Sequence, residues 1–260
     1  MQKKGKIAIF ISSYKSMKTL ANVIDRIPKP VKSAVSEIFV IDDDSPDKSY
    51  SNAVQYKSSA KIANLTIMRN PKNMGFGGNQ KEAFKYAIRK GYALVIVLHG
   101  DAQYAPEELP LFIEAYKKTN PDLVYGSRMR GDPLAGGMPI WRFLGNRFLT
   151  FMQNLVLGLN LSEYHSGYRA YKCSALSSIN FAKLSSDYHF DPEMLVLFKL
   201  NKFKITEVPI STHYGPESHS PSPAATFKYF LFTMKSLADY LLHVWGIRGL
   251  EKYQKSGVSK

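Results

Sequence analysis

Three short stretches hold the side chains whose types and spacing could do chemistry. Residues 41–47 read Ile41 Asp42 Asp43 Asp44 Ser45 Pro46 Asp47. Three adjacent carboxylates repel one another, so the run calls for a compensating partner: a base or ribose donor from a nucleotide, a metal ion or a lysine. The plainer reading is a solvated acidic turn built by Ser45, Pro46 and Asp47. Residues 73–79, Asn73 Met74 Gly75 Phe76 Gly77 Gly78 Asn79, space glycines closely ahead of a helical pattern. Backbone N–H groups there can approach phosphates or a ring, and a tight loop feeding a helix accounts for the same glycines. In the third stretch, His99 Gly100 Asp101 Ala102 Gln103 sets an acid and an amide oxygen two residues apart. Hard cations take oxygen ligands and share them with phosphates, so this pair can hold Mg²⁺ or Mn²⁺ beside a diphosphate. The alternative is that Asp101 and Gln103 cap the helix that Pro106 opens.

The elements that must position these residues are legible as apolar runs. Residues 7–11, 37–41, 65–68 and 94–98 are near-continuously apolar, as strands covered on both faces are. Between the last two, Ala83, Phe84, Ala87 and Ile88 share a helical face over 79–90, with Asn79 as cap and Gly91 as stop. Beyond the fourth strand Leu109, Phe112, Ile113 and Tyr116 recur at helical spacing, and Leu123 Val124 Tyr125 reads as a fifth strand. This alternation over 1–126 predicts an α/β fold with a doubly wound, mostly parallel sheet and flanking helices. Such sheets bind ligands beyond the carboxyl ends of their strands, where the acids and glycines collect. In the second half, 140–159 is an amphipathic helix with Leu144, Phe148, Phe151, Met152, Leu155 and Leu159 on one side. Residues 160–222 are short elements, 226–244 is a second apolar helix, and the Gly, Pro and Asp-rich 131–139 links the halves.

The three motifs in this order resemble family 2 of the glycosyltransferases, which have the GT-A fold, and are similar to its polyprenol-phosphate sugar transferases of the dolichol-phosphate mannose synthase type. The resemblance spans roughly residues 5–220. It implies an inverting enzyme that moves a sugar from a nucleotide-diphosphate sugar to a polyprenyl phosphate or glycan acceptor with a divalent cation, Mg²⁺ or Mn²⁺. The division it implies is a glycosyltransferase domain over 1–222, with nucleotide-binding (1–126) and acceptor (127–222) halves, followed by a C-terminal amphipathic helix and basic tail over 223–260. Of the family's Pro-x-Tyr-Asn-Glu pattern after the first strand, Ser12 Ser13 Tyr14 Lys15 Ser16 keeps the tyrosine. Ser13, Tyr14, Asp42, Asp43, Asp44, Gly75, Gly77, Asn79 and Gly100 are thereby implied in donor binding, with Asp42 and Asp43 on the nucleoside and Asp44 where glycine is common. The Asp-x-Asp metal motif corresponds to His99 Gly100 Asp101, so Asp101 is the implied principal metal ligand, helped by Gln103, with His99 in place of the first acid. Gly126 Ser127 Arg128 resembles the family's Gly-Ser-Arg, whose arginine meets phosphate oxygens, a contact that suits a guanidinium fork. His165 Ser166 Gly167 Tyr168 Arg169 resembles the Ser-Gly-Phe-Arg segment beneath the diphosphate, with Glu163 where aspartate is usual. Phe190 Asp191 Pro192 Glu193 matches the acidic start of an acceptor-side helix. A hydroxyl acceptor needs a carboxylate to take its proton, for which Asp191 and then Glu193 are the candidates; a phosphate acceptor needs only cations. Glu207 Val208 Pro209 Ile210 resembles the final strand, followed by the loop of Thr212, His213, Tyr214, Gly215, Glu217, Ser218, His219 and Ser220.

Composition narrows the partners. The chain has 260 residues, 35 Lys plus Arg and 21 Asp plus Glu, for a net charge of +14, which suits an anionic partner. No aromatic and basic interleaving of the RNA-binding kind and no zinc-finger spacing is present, so nucleic acid is not expected. One cysteine, Cys173, makes no intramolecular disulfide and fits a reducing compartment. The apolar run 7–11 is shorter than the roughly 7–15 residues of a signal-peptide core, so a cytoplasmic location is expected. Lys235 and Asp239 in the 227–247 stretch argue against a membrane span, at about 2.5–3.5 kcal/mol each near its centre. Trp141, Arg142, Arg147, Lys228, Lys235, Trp245 and Arg248 on or beside the two apolar helices suit an anionic membrane surface, and core packing accounts for the same apolar faces.

Overall fold

The computed structural model describes residues 5–212, 214 and 223–254. Its strands are β1 (Ile7–Ser13), β2 (Glu37–Asp42), β3 (Leu65–Arg69), β4 (Leu94–His99), β5 (Leu123–Ser127), β6 (Arg169–Lys172) and β7 (Ile205–Pro209). Among the described residues they form one sheet in the order β3-β2-β1-β4-β6-β5-β7. All neighbours run parallel except β6, which is antiparallel to both β4 and β5. The helices are α1 (Leu20–Arg26), α2 (Lys29–Ala34), α3 (Ser49–Ala60), α4 (Phe76–Arg89), α5 (Leu109–Thr119), α6 (Ile140–Leu157), α7 (Cys173–Ser177), α8 (Phe190–Leu200) and α9 (Pro223–Val244).

Alternation along the central strands feeds two cores. Ala8, Phe10, Phe39, Val95 and Val97 face a cluster with α4, α7 and α8. Ile9, Ile11, Ile38, Val40, Leu94 and Ile96 face the other, with α1 and α5. Being covered on both sides is why these strands read as unbroken apolar runs. Leu237, Tyr240 and Tyr253 pack into the first cluster, so the C-terminal segment shares the core of the sheet.

One sequence expectation changes, and one alternative that the sequence leaves open is decided. Gly75, not Asn79, is the cap of α4, which starts three residues earlier than the apolar periodicity indicates. The second concerns α6, whose apolar stripe faces outward. Ile140, Trp141, Leu144, Phe148, Phe151 and Leu155 are each more than half exposed, while Asn146, Thr150 and Gln153 are buried. At about 1.5–3 kcal/mol per large apolar side chain, this arrangement forgoes on the order of 10 kcal/mol of hydrophobic stabilisation. In α9 the inversion is partial: Thr233, Ser236 and Asp239 are buried beside the core residues Leu237 and Tyr240, while Phe227 and Leu231 are exposed.

Gly77 lets α4 lie against residues 185–190: a Cβ there would sit 2.6 Å from Phe190 Cβ and 2.7 Å from the Ser185 carbonyl oxygen. Gly145, on α6, has nothing within 4 Å. Gly77→Ala is therefore expected to destabilise by about 1–3 kcal/mol through overpacking. Gly145→Ala should stabilise by about 0.5–1 kcal/mol through helix propensity. Urea midpoints at unchanged slope test both, and equal midpoints for the two variants would contradict the packing.

Candidate active site

The sheet reverses direction at β1: β2 and β3 lie on one side and β4 on the other. Ligand crevices form outside the carboxyl ends of strands at such a switch point. Register brings the candidate residues together there, with Ser13 beside Asp42 and Ser12 beside His99. Because β6 runs antiparallel, Arg169 at its start reaches the same end of the sheet as Arg128, which follows β5.

The protein itself compensates the acidic run. Asp42 is buried and accepts from the Ser45 amide (3.0 Å) and hydroxyl (2.6 Å), closing a turn. Asp44, at φ 53°, pairs with Arg69 at 2.7 Å, and Arg69 Nε lies 3.7 Å from Asp42. Asp43 Oδ1 accepts from the Asn70 amide (2.7 Å) and the Met74 N–H (2.9 Å). Its other oxygen makes no hydrogen bond among the described residues. Asn79 is buried beneath, donating to Ser12 Oγ and the Ile41 carbonyl and accepting from Asn70. It thus ties β1, β2 and α4 together.

The glycine loop has a packing role. Gly75 takes φ +78°, and the N–H groups of Gly77 and Gly78 donate to the Ser186 carbonyl at 2.9 and 3.2 Å. Those amides are engaged within the fold and are not presented to a ligand. Phe76, between them, stacks on the exposed Tyr188 with centroids 5.1 Å apart. The Tyr188 phenol lies close enough to Asp101 and Tyr14 for their charges to help raise its pKa, after desolvation. The exposed Tyr14 and Tyr188 therefore stand near Asp101, with Phe76 stacked on Tyr188.

Gly100 donates to the Ser12 carbonyl at 2.8 Å, which pins the segment after β4 to β1. Asp101 is partly exposed, and its Oδ1 accepts from the Gln103 N–H at 3.1 Å, an Asx turn around Ala102 at φ 61°. His99 packs edge-on between Phe76 and Tyr104. Its Nε2 is buried without a partner among the described residues and lies against Gly167, where a Cβ would come within 2.9 Å of it. No group of three or more His, Cys, Asp and Glu side chains able to hold a metal ion occurs among the described residues.

Arg128 is buried against Glu163. The carboxylate accepts from the Arg128 N–H (2.8 Å), Nε (2.7 Å) and Nη2, and from Asn146 of α6 (2.8 Å). Arg128 Nη1 donates to the Tyr214 hydroxyl at 2.8 Å. Burial opposes the charge on Glu163, but the Arg128 guanidinium and these hydrogen bonds outweigh it and hold the carboxyl below its usual range. The rest of that loop, His213 and 215–220, lies outside the described residues.

Arg169 is wholly enclosed. It donates to the carbonyls of Ser166 (2.8 Å), Tyr164 (3.1 Å) and Asp191 (2.9 Å) and lies over the Tyr125 ring. Asp191 faces it at 3.7 Å and receives Gln80 at 3.4 Å. Burial pushes the Asp191 carboxyl up, against the opposing effects of Arg169, His99 and Gln80. Glu193 has both oxygens engaged, one by Lys252 (2.8 Å) and one by the Ser185 N–H (2.7 Å). Sequence reasoning missed Arg69, Asn70, Tyr188, Tyr229 and Lys252. Only the first two carried a signal, standing directly after the third apolar run.

His165 Nδ1 shares a hydrogen bond of 2.8 Å with Tyr229 of α9, and its Nε2 is buried with no partner among the described residues. Burial, opposed by Glu163 and reinforced by Arg128 and Arg169, pushes its pKa down to about 3. The unfolded chain therefore takes up a proton, near pH 6.5, that the native state excludes. This part of the stability is present above about pH 6.5 and declines as pH falls toward 3. His165→Gln should show about 2 kcal/mol less loss of stability than the parent between pH 8 and 5. Urea unfolding at both pH values is the measurement, and an identical loss in the two proteins would exclude a neutral buried imidazole.

Comparison with known proteins agrees with this arrangement. The profile of Glycosyl transferase family 2 matches residues 8–179. A UDP-N-acetylglucosamine--dolichyl-phosphate N-acetylglucosaminyltransferase of Methanococcus voltae is 27% identical over 218 residues, covering 80% of this chain and 86% of that protein. An undecaprenyl-phosphate mannosyltransferase of Micrococcus luteus is 27% identical over 207 residues, 79% of this chain and 83% of that one. Among solved structures, glucosyl-3-phosphoglycerate synthase of Mycobacterium tuberculosis in complex with Mn²⁺, UDP and glucosyl-3-phosphoglycerate superposes with a TM-score of 0.66 at 15% identity, over 91% of this chain and 80% of that one. The shared architecture is the GT-A fold, and with two thirds of its length matched by the profile, the chain belongs to glycosyl transferase family 2.

Proposed function

We propose that this glycosyltransferase moves a sugar, with inversion, from a nucleotide-diphosphate sugar to a polyprenyl phosphate at a membrane surface. The observation that carries the reading is that the backbone N–H groups of Asp43 and Gly100 donate to the Ser13 and Ser12 carbonyls, which brings Asp43 and the segment carrying Asp101 to the β1/β4 switch point. The acceptors printed in the names of its relatives support the lipid phosphate. The free oxygen of Asp43 accepts a hydrogen bond from the nucleoside, and Tyr14, Phe76 and Tyr188 offer ring faces beside it.

The donor set around Asp101 fits a divalent cation, because Mg²⁺ and Mn²⁺ beside a diphosphate take one or two protein carboxylates and fill the remaining positions from phosphate and water. Asp101 and Gln103 would hold it, and His99, enclosed by Phe76 and Tyr104, is turned toward Gly167. When bound, such an ion offsets the charge on the departing diphosphate. A polyprenyl phosphate is already an anion and attacks the anomeric carbon without a base, and both oxygens of Glu193 are taken by Lys252 and Ser185. The raised pKa of Asp191 favours a second reading, a glycan hydroxyl acceptor with Asp191 as general base.

The outward apolar faces of α6 and α9 support a peripheral position on a membrane. No helix among the described residues is long and apolar enough to cross one. Trp141 and Trp245 at the ends of these faces, with Arg142, Lys228 and Arg248 nearby, match the polar boundary of an anionic bilayer. The lone buried thiol of Cys173 suits the cytoplasmic face.

Transfer assays with a panel of nucleotide sugars, Mn²⁺ and either a polyprenyl phosphate or a soluble glycan separate these readings. Asp101→Ala is expected to lower turnover about 100-fold or more with unchanged thermal stability; unaltered turnover would remove the metal-site assignment. Absence of transfer to any acceptor, despite donor binding, would leave a non-catalytic nucleotide-sugar binder. Asp191→Asn should abolish transfer only if the acceptor is a hydroxyl. Replacing Leu144, Phe148 and Phe151 by serine should release the protein from anionic vesicles and leave the donor-induced thermal shift intact. Retained vesicle binding would contradict the membrane face.

A further inference from the structure

A separate cavity of about 400 Å³ opens beside α6, and its lining shares none of the candidate donor, metal or catalytic residues. Its lining includes the exposed Arg130 and Arg147, the side chains of Glu207 and Ser162, and Phe151. Glu207 Oε1 accepts from the Ser162 N–H (2.9 Å) and hydroxyl (2.6 Å), and Oε2 lies 3.9 Å from Arg130. Arg147 is exposed and makes no ion pair among the described residues. Two guanidinium groups against one carboxylate leave one net positive charge in a polar recess. Phe151 belongs both to this lining and to the outward apolar stripe with Leu144, Phe148 and Leu155.

We infer that this cavity is a binding site for the phosphodiester headgroup of a bilayer glycerophospholipid. The headgroup phosphate sits between Arg130 and Arg147, whose planar forks match phosphate oxygens. Glycerol hydroxyls or an amine reach Glu207, and the acyl chains follow Phe151 and Phe148 out along the exposed face. The single negative charge of a phosphodiester balances the site's net charge, and a ligand with apolar tails is the one whose remainder the adjoining stripe accommodates. This inference rests on the membrane-surface part of the proposed function, and it gives that surface a stoichiometric lipid site besides general attraction.

Titration calorimetry of the full chain with dihexanoyl phosphatidylglycerol, below its micelle concentration, tests the site without a bilayer. Saturable binding of one lipid per chain is expected. Arg130→Gln/Arg147→Gln should weaken it about tenfold or more, and Lys228→Gln/Arg248→Gln, which removes the same charge from α9 and its neighbourhood, should change it by less than about twofold. No binding, or an equal loss in the two double variants, overturns the site. Displacement of the probe by equimolar inorganic phosphate makes it a free-anion site, and displacement by farnesyl phosphate makes it part of the acceptor site; either result overturns the inference. The nucleotide-sugar thermal shift, read on the same proteins, reports folding and the donor reading independently. Its absence in the parent protein counts against the glycosyltransferase reading, whereas its persistence in a variant that still binds the probe normally counts against the lipid site alone.

Discussion

Glu163 draws partners from two parts of the chain: the amide and guanidinium of Arg128 after β5, and the side-chain amide of Asn146 on α6. The carboxylate is fully enclosed, and removing either member of such an ion pair strands a buried charge at about 3–5 kcal/mol. This pair therefore constrains everything around it. The carboxyl end of β5 is fixed against residues 160–165, and α6 must turn a polar face inward to keep Asn146, with Thr150 donating to it, over the acid. Once that face is inward, Leu144, Phe148, Phe151 and Leu155 have only the outside left.

The two inverted helices follow one logic. In α6 Asn154 exchanges two hydrogen bonds with the Leu161 backbone and receives a third from Tyr164. In α9 Asp239 is held by Lys235 and Lys252, and Lys252 continues to Glu193 on α8. In both helices polar side chains are satisfied inside while Leu144, Phe148, Phe151 and Leu155 of α6 and Phe227 and Leu231 of α9 stay outside; Leu237 and Tyr240 keep α9 anchored in the core. A surface of this kind is stable when an apolar medium meets it. Tyr229, which holds His165, sits on α9 itself, so the outer layer and the strand-end cleft share a contact.

Much of the first half was legible because its strands are buried on both faces: continuous runs at 7–11, 37–41, 65–68 and 94–98 left little room for another reading. β6 was not legible. Its Arg169 Ala170 Tyr171 Lys172 contains no apolar run, and an arginine at 0% exposure is stable there only because carbonyls, Tyr125 and Asp191 from elsewhere surround it. Helical period located α6 and α9 but could not orient them, because periodicity says which residues share a face and nothing about what covers that face. In the site, the positions of Asp42, Asp43 and Asp101 follow from strand ends. The partners of the acidic run, Arg69 through the register of β3 on β2 and Asn70 just beyond it, depend on pairing between strands that a linear reading does not contain.

Those partners resolve an electrostatic difficulty. A nucleotide-diphosphate sugar is an anion, and four carboxylates at the strand ends would repel it if all were presented to it. Asp42 is turned into its own turn by Ser45, and Asp44 is neutralised by Arg69. That leaves one oxygen of Asp43, a hydrogen-bond acceptor suited to the nucleoside, and the carboxylate of Asp101, suited to a cation beside the phosphates. The repulsion that the sequence suggests is thus mostly cancelled within the protein before any ligand arrives, and the chain's net charge of +14 acts at longer range to draw anions toward the cleft. A phosphate acceptor adds further negative charge at the moment of transfer. In the proposed reaction Arg128, paired with Glu163, and Arg169, facing Asp191 at 3.7 Å, act as fixed, preorganised fields that need no rearrangement when the bond changes partners.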